Sequence, residues 1–216
     1  MEVKLTIPDH LNEITLKQYK EFLKINETSE DVNFIQAKMM EIFCNISNKM
    51  ATEMRYKDVE DITGTLNSMF LEKPKLVTRF KINKKEYGFI PNLDDMTLGE
   101  YIDLDTYSGN YDNIEVAMNV LYRPITNKLG GKYDIAKYNP ETKDNMLKMP
   151  MDAVISSLFF FLNLGLELSA ITLNSLENKQ PTHSDQLKDL QQNMDGINHF
   201  LPYLKETLNE LKISLN

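Results

Sequence analysis

The sequence is poor in cysteine, histidine, glycine and basic clusters, and each scarcity removes a class of function. A lone cysteine, Cys44, excludes an intramolecular disulfide and points to folding in a reducing cytoplasm. It sits among Ile42, Phe43 and Ile46 with no CxxC motif and no nearby histidine to activate a thiol, so it reads as a small buried apolar residue. The three histidines, His10, His183 and His199, lie far apart and lack the i, i+4 spacing that places two imidazoles on one metal. The single glycine pair, in "LGGKYD", has neither the spacing nor the GK[ST] ending of a phosphate-cradling loop and reads as a turn or hairpin connector. No GxSxG, SxxK or GxGxxG is present, and no cofactor is expected. With 24 basic against 32 acidic residues the net charge is −8, which disfavours unspecific duplex binding, so no direct nucleic-acid partner is expected.

What is present suits a globular domain. The chain of 216 residues, 42% of them apolar, is long enough to bury a core as one domain with an appended arm. The opening "MEVKLTIPDH" has no basic or apolar region of a signal peptide, and the alternation of Val3, Leu5 and Ile7 before Pro8 predicts a strand. The longest apolar run, Ala153 to Leu173, is interrupted by Ser156, Ser157, Asn163 and Glu167 and lacks basic flanks, so it predicts a buried helix rather than a membrane span. Pro150 is placed at its first helical position.

Helical stripes are expected at Leu16, Tyr19, Phe22 and Leu23; at Phe34, Ile35, Met39, Ile42, Phe43 and Ile46; at Val59, Ile62, Leu66, Met69 and Phe70; and at Ile114, Ala117, Met118 and Leu121, the last ended by Pro124. "RFKINKKEYGFI" predicts a β-hairpin, with Phe80 and Ile82 before the polar turn Asn83 to Glu86 and Tyr87 and Phe89 after it. "KYDIAKY" is strand-like. The expected fold is α+β, mainly α: a helical domain over 1–176 with a small antiparallel sheet built from the N-terminal strand and the hairpin near 79–90.

A linker over 177–185 leads to a helical arm over 186–216, broken near Gly196 to Pro202, where a mid-helix proline costs ~3 kcal/mol. The arm carries an a/d heptad at Leu187, Leu190, Met194, Ile197, Leu201, Leu204, Leu208 and Leu211, the candidate interaction residues. The seam serves either a hairpin folding back onto its own chain or an intermolecular contact.

The acidic stretch "YGFIPNLDDMTLGEYIDLD" has the look of a catalytic loop, yet a relative stands within the same chain. "IPDHLNEITLKQY" and "IPNLDDMTLGEY" share Ile-Pro, an acid, an apolar residue, Thr-Leu and a tyrosine three residues later. Both read as a junction into a helix, with Thr15 or Thr97 as N-cap, Ile14 or Met96 as the apolar residue before it, and acids that favour the helix dipole. The competing reading is a small hydrolase using the loop at 92–100 through Asp94 and Asp95. "DLDTYSGNYDNIE" lacks the oxygen ligand, glycine and bidentate acid that a calcium loop requires at its fifth, sixth and twelfth positions. For Tyr122 and Arg123 of "LYRPI" a local structural role, capping a helix end, is expected over partner contact.

In order along the chain, "IPDHLNEITLKQYKEFLKI", "YGFIPNLDDMTLGEYIDL", "AMNVLYRPI", "GGKYDIAKYN" and "MPMDAVISSLFFFLNLG" resemble a late-region family of tailed bacteriophages that includes crAss-like phages, over about Val3 to Leu168. The resemblance implies a non-enzymatic virion or tail-morphogenesis protein of the head-tail region, made in the host bacterial cytoplasm. Its partners would be other virion or tail proteins and copies of itself, with no membrane. Some members of that family are labelled tail assembly chaperones, and a helper absent from the finished particle is the alternative.

Overall fold

The computed structural model describes residues 6–177, with side chains described as far as Leu164. The fold is α+β, mainly α. Its first half is four helices, α1 (Leu16–Thr28), α2 (Val32–Cys44), α3 (Asn48–Glu53) and α4 (Tyr56–Phe70). Local chemistry starts three of them. Thr15 forms a capping box with Gln18, Asp31 accepts from the Asn33 and Phe34 N–H groups, and Ser47 accepts from Met50 N–H. Asn45, in the left-handed region at φ 55°, ends α2.

The apolar stripes of these helices meet in an aromatic cluster. Tyr19 and Phe70 lie 4.8 Å apart, Phe22 and Phe43 5.3 Å, and Phe43 and Phe70 5.5 Å, all tilted as ring quadrupoles prefer. Three expected core positions on α2 differ: Ile35 and Ile42 are half-buried and Phe34 faces solvent. The helical period was right, but α2 has neighbours on only part of its circumference.

A four-stranded antiparallel sheet follows in the order β1 (Arg79–Ile82), β2 (Lys85–Phe89), β3 (Tyr122–Leu129) and β4 (Lys132–Ile135). The β1–β2 turn is tighter than the expected polar turn: Asn83 and Lys84 alone make it, with φ 48° and 69°. Phe80 pairs with Tyr87 in register and their rings stack at 5.8 Å. The Gly130-Gly131 pair, at φ 57° and 84°, is the β3–β4 turn, as two successive positive φ values demand.

Two expectations about prolines need correction, and one about a strand is only partly described. The predicted N-terminal strand lies mostly outside the described residues, and Thr6 to Asp9 belong to no strand, with Ile7 exposed. Pro124 does not end a helix. α6 (Ile114–Leu121) passes straight into β3 at Tyr122, and Pro124 sits inside that strand opposite Tyr87. A register shift between Ile125 and Asn127 follows at once, the kind of irregularity that tolerates a residue with no N–H to donate. Pro150 stands one residue before α7 (Met151–Glu177), where its carbonyl accepts from the Ala153 and Val154 N–H groups.

Between β2 and β3 the chain forms α5 (Leu98–Tyr107) and α6; after β4 a 3-10 stretch (Pro140–Lys148) leads to α7. Every residue of α6 is buried, as is nearly all of α7 from Met151 to Leu162. The part of α7 from Met151 to Leu162 therefore lies in the core, with Phe160 and Phe161 against Phe89 of the sheet. No helix among the described residues is long and apolar enough to cross a membrane.

Candidate functional site

The two related segments fold alike. Each makes a short 3-10 turn, Leu11–Glu13 or Leu93–Asp95, and then a threonine-capped helix. In the first, Thr15 Oγ1 accepts from Gln18 N–H while Gln18 Oε1 accepts from Thr15 N–H at 3.0 Å. In the second, Thr97 Oγ1 accepts from Glu100 N–H while Glu100 Oε2 accepts from Thr97 N–H at 2.6 Å. The reciprocal bonds satisfy two N–H groups that every helix start leaves unpaired. The expected apolar residue before each cap is wholly buried at Ile14 and half-buried at Met96.

The acids of the opening stretch are distributed accordingly. Asn92 caps the 3-10 turn by accepting from Asp94 N–H, and its amide donates to Asp95 Oδ2 at 3.0 Å. Both Asp94 and Asp95 are exposed, so solvent surrounds their carboxylates. Asp103 accepts from Tyr138 Oη at 2.5 Å; burial, and then this bond, raise the Tyr138 phenol well above its ordinary range.

Tertiary attachment separates the two copies. The first junction binds the start of α7 through Leu16 N–H to Met149 O at 2.9 Å and Met151 N–H to Ile14 O at 2.9 Å. The second leaves β2 and binds the end of α6 through Ile90 N–H to Leu121 O at 2.8 Å.

α5 is then laid down in an unusual orientation. Its inward face carries Leu104 and the carboxylate of Glu100, which is only 3% exposed and accepts from Arg123 Nη1 on β3 at 2.5 Å. Arg123 is itself buried, and its Nε has no hydrogen-bond partner among the described residues. The outward face carries Leu98, Tyr101 and Ile102, which are 75%, 36% and 51% exposed. Positions i, i+3 and i+4 of one helix thus present a continuous apolar strip to solvent, while an ion pair occupies the core side.

Neither feature was foreseen in full. Arg123 and Tyr122 have the expected local role, but neither caps a helix: Arg123 neutralises Glu100, and Tyr122 Oη donates to Val77 O at 2.8 Å from a wholly buried ring. A second buried pair also escaped notice. Lys20 Nζ on α1 donates to Glu115 Oε2 on α6 and to Asp112 O, each at 2.6 Å. Pairings 23 and 95 residues apart leave no periodic trace in sequence. The Leu98, Tyr101, Ile102 strip was not among the stripes read from the sequence, and such spacing alone does not say which side a helix turns to water.

Cys44 is buried at the end of α2, and burial pushes its thiol up to about 11, away from nucleophilic chemistry at neutral pH. Among the described residues no group of three histidine, cysteine or acidic side chains converges to hold a metal. The heptad positions Leu187 to Leu211, His183 and His199 lie outside the described residues. No protein-family model matches the chain, and no match was found to a curated protein or a solved structure.

Proposed function

We propose that this chain is a non-enzymatic structural or assembly protein of a tailed bacteriophage, a virion component of the head-tail region that works through protein-protein contacts. The observation that carries the reading is α5: Leu98, Tyr101 and Ile102 stand outward at the spacing with which a helix enters an apolar groove. Exposing that strip keeps apolar surface in water, a cost that burial against a partner removes. The phage setting rests on the ordered motif set from Ile7 to Gly165. The acids that invite a hydrolase reading sit on an exposed turn, where Asn92 accepts from Asp94 N–H and donates to the Asp95 carboxylate, which serves the turn.

Two measurements test the proposal. Light-scattering mass of the purified chain over a range of concentrations should show an oligomer that Leu98→Asp with Ile102→Asp reduces to a folded monomer. Peptide mass spectrometry should find the chain in purified particles. Presence in infected cells together with absence from particles would favour an assembly chaperone instead. A hydrolytic turnover abolished by Asp94→Asn with Asp95→Asn would overturn the non-enzymatic reading.

A further inference from the structure

Charge is divided unequally over the fold. From Ile90 to Leu121, the stretch that contains α5 and α6, there are seven acids and no lysine or arginine. Glu100 and Glu115 are neutralised in the core by Arg123 and Lys20, whereas Asp94 and Asp95 stand exposed, one helical turn before Leu98. The apolar strip of α5 thus begins beside two carboxylates in water. The opposite sign gathers at the turn end of the sheet. Both two-residue turns, Asn83-Lys84 and Gly130-Gly131, fall at that end, because β2 and β3 are antiparallel with Tyr87 opposite Pro124. Lys81, Lys84, Lys85, Lys128 and Lys132 are all exposed there, against Asp134 and a half-buried Glu86 that already accepts from Lys128. Among these lysines stands Leu129, 80% exposed and paired in register with Lys132. Among the described residues nothing lies within 4 Å of a side-chain position at Gly130 or Gly131, so the tip projects from the domain.

We propose that the β3–β4 tip of one copy docks on the α5 strip of a second copy, with Leu129 against Leu98, Tyr101 and Ile102 and the surrounding lysines facing Asp94 and Asp95. The tip cannot serve its own α5. That helix is tied to the far end of the sheet, through Glu100 to Arg123 and through Asp103 to Tyr138, three residues beyond the end of β4. Leu129 stands six residues along β3 from Arg123, ~20 Å at ~3.3 Å per residue. A symmetric contact of two α5 strips would bring two pairs of aspartates together, and like charges set face to face are unfavourable. The lysine-bearing tip supplies the opposite sign, so apolar burial gives affinity and charge gives orientation. The two surfaces differ, so each dimer keeps one tip and one strip open and copies add head to tail. The inference rests on the reading of α5 as a contact surface and adds the surface that meets it.

Mixing two crippled variants of the full chain tests it. Leu98→Asp with Ile102→Asp removes the strip and keeps the tip; Leu129→Asp removes the tip and keeps the strip. All three positions are exposed, and circular dichroism should match the parent in both variants. In sedimentation velocity the parent should associate as concentration rises, and each variant alone should associate at least tenfold more weakly. The equimolar mixture should recover a complex of two 25.1 kDa chains and nothing larger, because one intact strip and one intact tip remain. A mixture that stays monomeric where the parent associates would overturn the pairing. So would a Leu129→Asp variant that associates as the parent does, which leaves α5 a contact surface for another face and the proposed function standing. A parent monomeric at every concentration would overturn docking between copies, and detection of the chain in purified particles would then bear on the proposed function separately. Salt gives a reading that needs no variant. Raising sodium chloride from about 0.05 M to about 0.5 M should weaken association of the parent at least fivefold, and an association that salt leaves unchanged or tightens would refute the pairing of tip with strip.

Discussion

Replacing Glu100 by glutamine tests the interaction that holds α5 to the core. Glu100 serves two donors, Oε1 accepting from Arg123 Nη1 and Oε2 from Thr97 N–H, and glutamine has one oxygen for both. Whichever donor that oxygen serves, the change removes the charge that faces Arg123, a residue 8% exposed. Breaking a buried pair from one side leaves an uncompensated charge and costs ~3–5 kcal/mol. An amide oxygen kept on the guanidinium softens that cost but turns the NH2 towards Thr97 N–H and opens half of the capping box, so Glu100→Gln should cost ~3 kcal/mol or more. Arg123→Met strands the carboxylate instead and should cost as much or more. The double variant should be far less destabilised than the sum, with a coupling of at least ~1.5 kcal/mol, because neither charge then remains. Urea unfolding followed by circular dichroism reads all four corners of the cycle. At a slope of ~2–3 kcal/mol per molar, Glu100→Gln alone should lower the midpoint by about 1 M or more. A cost below about 1 kcal/mol for that variant, or strict additivity in the cycle, would refute the account of α5 as a helix held to β3 by its charge.

Other outcomes follow from the same structure. At a concentration low enough for the parent to be a monomer, Leu98→Asp with Ile102→Asp should leave thermal stability within about 0.5 kcal/mol of the parent per site, since both side chains then face water; a large loss would mean that the strip is covered by the chain itself. Gly88→Ala would bring a methyl group to 2.4 Å from the Tyr133 ring and 3.0 Å from Ile125, an overpacking that should cost ~1–3 kcal/mol by denaturation and be relieved in part by Tyr133→Ala. Tyr122→Phe should cost ~1–3 kcal/mol, because Val77 O loses its buried donor. For Cys44 the unfolded thiol titrates near 9.0 and the native one at about 11, so the unfolded chain loses its proton first. Its contribution to stability is complete below pH 9 and declines as pH rises towards 11; chemical denaturation across that range should show a shallower fall in Cys44→Ala than in the parent.

Much of the architecture was legible because its causes are local. The amphipathic periods of α1, α4 and α6, the β1–β2 hairpin and the glycine pair that turns β3 into β4 each depend on residues a few positions apart. The repeated Ile-Pro to Thr-Leu motif was read as a helix junction in both copies, and both copies fold as one. The misread places have long-range causes. Pro124 was assigned to a helix end because proline disfavours a helix, yet the irregular register beside it admits proline into a strand. Phe34 was assigned to the core because the stripe on α2 is continuous, yet the neighbours of α2 do not reach that far round.

The same division applies to the candidate site. By itself the sequence determined the capped start of α5, the apolar residue before that cap and the burial of a cysteine set among apolar residues, since propensity and capping act within a turn or two. Only the tertiary structure decided that the second junction hangs from β2 and α6 rather than from α7. That attachment turns Glu100 inward to Arg123 and leaves Leu98, Tyr101 and Ile102 in water. An ion pair in the core and an apolar strip outside it are consequences of which elements happen to be neighbours, and pairings across 23 or 95 residues arise from packing that no local pattern encodes.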